Sequence, residues 1–147
     1  PDFNNTFMKF NAIYIVDPDT AFHTSIKKFT DKIGVNTPIF YFTNGDDFLK
    51  ENPKSNYNPR SNGENLILLD LNAQNGLGWE FLKKFDGLDY QFKSSFQIVA
   101  LSEELSLSER NQALAYQSVS FYFHKPFTYR GFITMVETIV NDLPSSI

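Results

Sequence analysis

The sequence contains no cysteine, which excludes disulfides, thiolate metal centres and a cysteine nucleophile. Two histidines are too few for a histidine-rich metal cage. No apolar run reaches the roughly 18 residues that a membrane span requires, so no membrane association is expected. Basic residues are in deficit: 13 Lys and Arg face 17 Asp and Glu, for a net charge of −4. That balance argues against a broad electrostatic grip on DNA or RNA, so no nucleic-acid partner is expected. Residues Pro1 to Asn5 show neither the basic nor the apolar region of a secretory signal, and a cytoplasmic location is the expectation. Aromatic residues are plentiful, with 16 Phe, 7 Tyr and 1 Trp among 147 residues. This length fits one domain, residues 1–147, large enough to bury a substantial core.

Short apolar runs alternate with helical stripes. Asn11–Val16, Thr37–Thr43, Leu66–Leu69, Phe96–Leu101 and Val119–Phe123 read as strands. The unbroken Leu66–Leu69 run suits a strand buried on both faces of a parallel sheet. Phe22, Ile26, Phe29 and Ile33 form a helical stripe, with Gly34 as its stop. Gly45–Asn52 reads as a short helix; Gly76 and Gly78 mark a turn before the stripe Trp79, Leu82, Phe85. Ser106 and Glu109 have capping-box spacing and open a helix to about Tyr116. Phe132, Ile133, Val136, Ile139, Val140 and Leu143 line a last helix. Glu51–Asn65 is polar, with Tyr57 its one large apolar residue, and reads as a surface loop inserted in a core of about 12–143. Five strands alternating with five helices imply a doubly wound α/β fold, with helices on both faces of a parallel sheet.

In such a sheet, ligands bind beyond the carboxyl ends of the strands. The residues there are Asp17, Pro18 and Asp19 after the first strand, Asp70 after the third, Ser102, Glu103 and Glu104 after the fourth, and Lys125 after the fifth. Clustered carboxylates need a counter-ion, and a hard divalent cation takes oxygen ligands. A carboxylate can act as a nucleophile on phosphorus, with a metal and a lysine neutralising the transferred group and a hydroxyl hydrogen-bonding it.

Val16-Asp17, Leu66–Asp70, Leu101-Ser102 and Lys125-Pro126, in that order at those strand ends, resemble the receiver domain of two-component response regulators. Gly78, eight residues after Asp70, matches the family's phosphoacceptor loop, and the resemblance runs from about Ala12 to Val140. It implies a five-stranded sheet in the flavodoxin-like order 2-1-3-4-5. It implies that Asp70 accepts phosphoryl from a histidine kinase or phosphotransfer protein, with Mg²⁺ held by Asp17, Asp70 and the backbone carbonyl of Asn72. Ser102 would be the switch hydroxyl, Tyr122 the switch aromatic, and Lys125 the cation beside the phosphoryl group, with a cis Lys125–Pro126 bond. Such a domain is a phosphoacceptor rather than an enzyme of the usual kind. Output would pass to a protein partner through the fourth helix, fifth strand and fifth helix, a face that would also serve a homodimer. A stand-alone receiver is the expectation.

The chain departs from the family pattern at two places. Pro18 stands where a second acid is usual, and Ala73-Gln74 replaces the common Met-Pro. Asp19 is therefore either a substitute metal ligand or, the favoured reading, a cap on the first helix. Asn72 and Glu104, both polar, stand at positions that tune phosphoryl lifetime in the family, so a short-lived phosphoryl group is expected. His23 and His124 read as surface or packing residues, and Lys27-Lys28 and Lys83-Lys84 as solvated helix faces. Tyr116, Tyr122 and Tyr129 read equally as half-buried packing or a partner face. The alternative function is a degenerate, unphosphorylated receiver that acts as a protein-binding module. A nucleotide-binding flavodoxin-like enzyme would need a Gly- or Ser/Thr-rich phosphate loop where Asp17-Pro18-Asp19 stands.

Overall fold

The structure is a computed structural model that describes residues 9–51, 65–71 and 76–142. The Asn72 ligand, most of the 51–65 loop, and Leu143 lie outside the described residues. Five parallel strands are ordered β2-β1-β3-β4-β5: β1 (Ala12–Val16), β2 (Ile39–Phe42), β3 (Asn65–Asp70), β4 (Phe96–Ser102) and β5 (Val119–His124). Six helices are described: α1 (Thr20–Ile33), α2 (Gly45–Glu51), α3 (Leu77–Asp86), α4 (Tyr90–Lys93), α5 (Leu107–Leu114) and α6 (Tyr129–Asn141). The five-helix expectation missed α4, a single turn too short to show helical periodicity. It exists because Phe92 is buried against Phe85 and Phe96.

Strand alternation sorts the core into two layers. Ile13, Ile15, Leu66, Leu68, Val99 and Leu101 face α1 and α6, whose Phe22, Ile26, Phe132, Val136 and Ile139 close that side. Val16, Ile67, Leu69, Phe96, Ile98 and Ala100 face the other side, against Phe48, Phe81, Leu82, Phe85, Phe92 and Ala113 from α2, α3, α4 and α5. The helix stops are local. Gly34 adopts φ +82°, and its N–H and that of Val35 donate to the Thr30 carbonyl, closing α1. Ser106 Oγ accepts from Glu109 N–H at 2.9 Å and caps α5.

Register places the chemistry. Val16 pairs with Leu69, so the next residues, Asp17 and Asp70, stand level at the sheet edge. Ile98 pairs with Val119 but Val99 pairs with Phe121, a one-residue slip at Ser120. Such a bulge re-aims the strand beyond it. Beyond the slip, Ser102 faces His124, and the Lys125 N–H donates to the Ser102 carbonyl at 2.8 Å. No peptide bond among the described residues is cis, so Lys125–Pro126 is trans, contrary to the family expectation. An X–Pro bond prefers trans by about 0.5–1 kcal/mol when nothing opposes it.

Candidate functional site

Four polar side chains are buried at the carboxyl edge of the sheet: Asp17 and Lys125 at 1% exposure, Ser102 at 0% and Asp70 at 5%. Asp70 and Ser102 are the last residues of their strands, and Asp17 and Lys125 each stand one residue beyond theirs.

Lys125 Nζ lies 2.8 Å from Asp17 Oδ2 and 3.9 Å from Asp19 Oδ2. It also sits 4.6 Å above the Phe22 ring of α1, a cation–π contact that shields the ammonium from water. Asp17 Oδ2 is buried, and the Lys125 ammonium is its ion-pair partner. Asp17 Oδ1 accepts from Asp19 N–H at 2.8 Å. Burial raises the Asp17 carboxyl above its ordinary value, and the Lys125 ammonium and the Asp19 amide oppose the rise.

Asp19 caps α1. Its Oδ1 accepts from Ala21 N–H at 2.9 Å and from Phe22 N–H at 3.4 Å. Pro18 turns the chain so that this carboxylate meets the orphan amides of the helix start. The cap reading holds.

Asp17 and Asp70 line one small pocket together with Thr43, Asn44, Gly45 and Gly78. It leaves about 10 Å³ open to a water-sized sphere, room for roughly one water or bare ion. Gly78 is helical, in the first turn of α3 rather than in a turn. A Cβ there would sit 2.4 Å from the Asp70 carbonyl oxygen, so only glycine lets α3 approach the end of β3 this closely. Two carboxylates around one pocket suit a hard cation, although Asp17 Oδ2 already pairs with the Lys125 ammonium. The acid set is short by one, however, and no group of three acids or histidines able to hold a metal occurs among the described residues.

Ser102 and Tyr122 lie farther along the edge, on β4 and β5 beside α5. The Ser102 hydroxyl donates to the Glu104 carbonyl at 2.6 Å and accepts from Glu104 N–H at 3.2 Å. The Tyr122 hydroxyl contacts the same carbonyl at 3.4 Å, accepts from Ser106 N–H at 3.2 Å and donates to Glu109 Oε1 at 2.6 Å. The structure thus joins Asp17 to Lys125, sets Asp17 and Asp70 around one pocket, and joins Ser102 to Tyr122 through Glu104.

Sequence reasoning missed the parts played by Glu109 and Phe22. In the sequence Glu109 has capping-box spacing and Phe22 belongs to a core stripe; nothing local points either toward a residue more than ten positions away.

No family model matches the sequence, and no curated protein matches it. Solved structures do. A response regulator receiver protein from Dyadobacter fermentans superposes with a TM-score of 0.73 at 21% identity, over 91% of this chain and 98% of that one. This chain has the receiver-domain fold. A response regulator receiver domain from Rhodospirillum rubrum gives 0.62 at 25% identity, over 87% of this chain and 89% of that one. A two-component response regulator from Clostridium difficile gives 0.66 at 21% identity, over 92% and 99%. In the receiver fold, the strand order puts the switch point between β1 and β3, where Asp17 and Asp70 lie. The histidines pack as expected, His23 against Tyr41 and His124 against Phe127. Lys27, Lys28, Lys83 and Lys84 are exposed, and no described helix is long and apolar enough to cross a membrane.

Proposed function

We propose that the chain is a phosphoacceptor receiver in two-component signalling. The observation that carries this reading is the buried set Asp17, Asp70, Ser102 and Lys125 at one sheet edge. Burying two carboxylates and an ammonium is costly and rarely serves stability. An Asp70 carboxylate oxygen would attack the phosphorus of a phosphohistidine on a kinase or phosphotransfer protein. The P–O bond forms as the P–N bond breaks, and the imidazole nitrogen keeps the electron pair and takes a proton from solvent. Lys125 would turn from Asp17 toward the new phosphoryl oxygens. The Ser102 hydroxyl would exchange the Glu104 carbonyl for a phosphoryl oxygen, which frees the acceptor it shares with Tyr122. That exchange transmits the event to α5, and a downstream protein would read the α5–β5–α6 face, where Leu105 and Leu107 are exposed.

Asp17 and Asp70 would hold Mg²⁺ with the Asn72 carbonyl, and the ion would neutralise phosphoryl charge. Pro18 and the capping of α1 by Asp19 leave one acid fewer, so weak Mg²⁺ binding is expected. The same features favour the second reading, an unphosphorylated binding module.

Intact mass after acetyl phosphate treatment, with and without Mg²⁺, on wild type and Asp70→Asn, separates the two readings. A beryllofluoride titration followed by NMR covers a short-lived adduct. A Mg²⁺-dependent adduct lost in Asp70→Asn supports the phosphoacceptor. No adduct and no beryllofluoride response leaves the binding module.

A further inference from the structure

Away from the sheet edge, α3 and α5 leave a groove between them. Trp79 and Asp86 from α3 and Gln112, Ala115 and Tyr116 from α5 and its C-terminal end line about 430 Å³ of open space, within the size range of ligand pockets. Trp79 and Asp86 are seven residues apart, two helical turns, and so share one face of α3. The small Ala115 leaves the space between two half-buried aromatic rings unfilled.

The polar ends around the groove are unspent. Among the described residues, the Trp79 indole N–H, the Gln112 amide and the Tyr116 hydroxyl make no hydrogen bond. The one charged group lining the groove is Asp86, whose carboxylate is 52% exposed. Lys93 Nζ approaches Asp86 Oδ1 only to 3.9 Å, while donating to the Asp86 main-chain carbonyl. Asp86 therefore keeps hydrogen-bonding capacity on the groove side.

We propose that this groove binds the guanidinium of an arginine side chain presented by another protein. An indole face is the best aromatic partner for a cation. A guanidinium stacked on Trp79 would offer its N–H fork to the Asp86 carboxylate or the Gln112 amide oxygen, which an ammonium does not match. The inference is independent of whether Asp70 is phosphorylated.

Trp79 is the only tryptophan in the sequence, so its fluorescence reports on this groove alone. The probes are acetyl-arginine amide and its neutral isostere, acetyl-citrulline amide, titrated into the whole chain at constant ionic strength. The expected result is a saturable change with the arginine probe in the millimolar range. Binding should be at least about three-fold weaker for citrulline and for Asp86→Asn, the loss of one partly exposed charge contact. Gln112→Ala, at an exposed position, should weaken it less. NMR shifts at the Ala115 and Tyr116 amides locate the probe. Equal responses to the two probes, an unchanged response in Asp86→Asn, or no saturable response at all would each overturn the proposal. A folded Gln112→Ala with wild-type circular dichroism keeps the test valid should Asp86→Asn unfold.

Discussion

The face of the sheet covered by α2, α3 and α4 and the carboxyl edge of that sheet are built on opposite terms. The face is an aromatic lattice. Phe48, fully buried, has the rings of Tyr14, Phe42, Phe81 and Phe96 at 5.2, 5.7, 5.7 and 5.8 Å, mostly edge-on. Each such pair adds about 0.5–1.5 kcal/mol beyond the area it buries. The edge instead takes two carboxylates, a hydroxyl and an ammonium out of water. Their desolvation cancels much of their mutual attraction. The difference teaches that stability is concentrated in the face, which leaves the edge able to hold groups that chemistry needs and folding does not.

The contrast can be broken at either end. Phe48→Ala should cost about 3–5 kcal/mol in urea unfolding, because four rings cannot all collapse into the vacated space. A loss below 1 kcal/mol would mean that the lattice is loosely packed. Lys125→Met should also cost roughly 3–5 kcal/mol, by leaving Asp17 buried without its counter-ion. The paired change Asp17→Leu with Lys125→Met should return stability to wild type or above it while removing any phosphoacceptor activity. Were the double variant as unstable as the single one, the edge would be a structural element like the face. Gly78→Ala should cost about 1–3 kcal/mol, since the added methyl meets the main-chain carbonyl of Asp70 and α3 must move away. NMR shifts concentrated at residues 70, 71 and 77–79 would locate the strain. Asp19→Ala should cost about 1 kcal/mol, the loss of a helix cap, and leave a Mg²⁺ titration unchanged. A parallel loss of Mg²⁺ affinity would restore Asp19 as a ligand.

Much of the fold could be read in advance because its signals are local. Runs such as Leu66–Leu69 mark buried strands, Gly34 and Ser106 mark helix ends, and the alternation of the two periods leaves few topologies. Asp17, Asp70, Ser102 and Lys125 are legible in the sequence because each stands at a strand end, where an apolar run stops at a polar residue, whereas Tyr122 and Asn72 are named only by the family resemblance. Helix α4 was not found, since four residues carry no periodicity. Gly78 was placed in a turn because glycine is a local turn former, whereas its reason here is a contact with another element.

The sequence by itself determined the strands, the sheet edge and which polar residues would reach it, because hydrophobic period and strand ends are properties of neighbours along the chain. Tertiary structure alone decided the pairing at that edge. Asp17 takes the lysine, Asp19 caps α1, and Ser102 and Tyr122 share the Glu104 carbonyl on the α5 side. These choices depend on register, on the slip at Ser120 and on which helix covers which face, and residues 17 and 125 meet only after all of those are set.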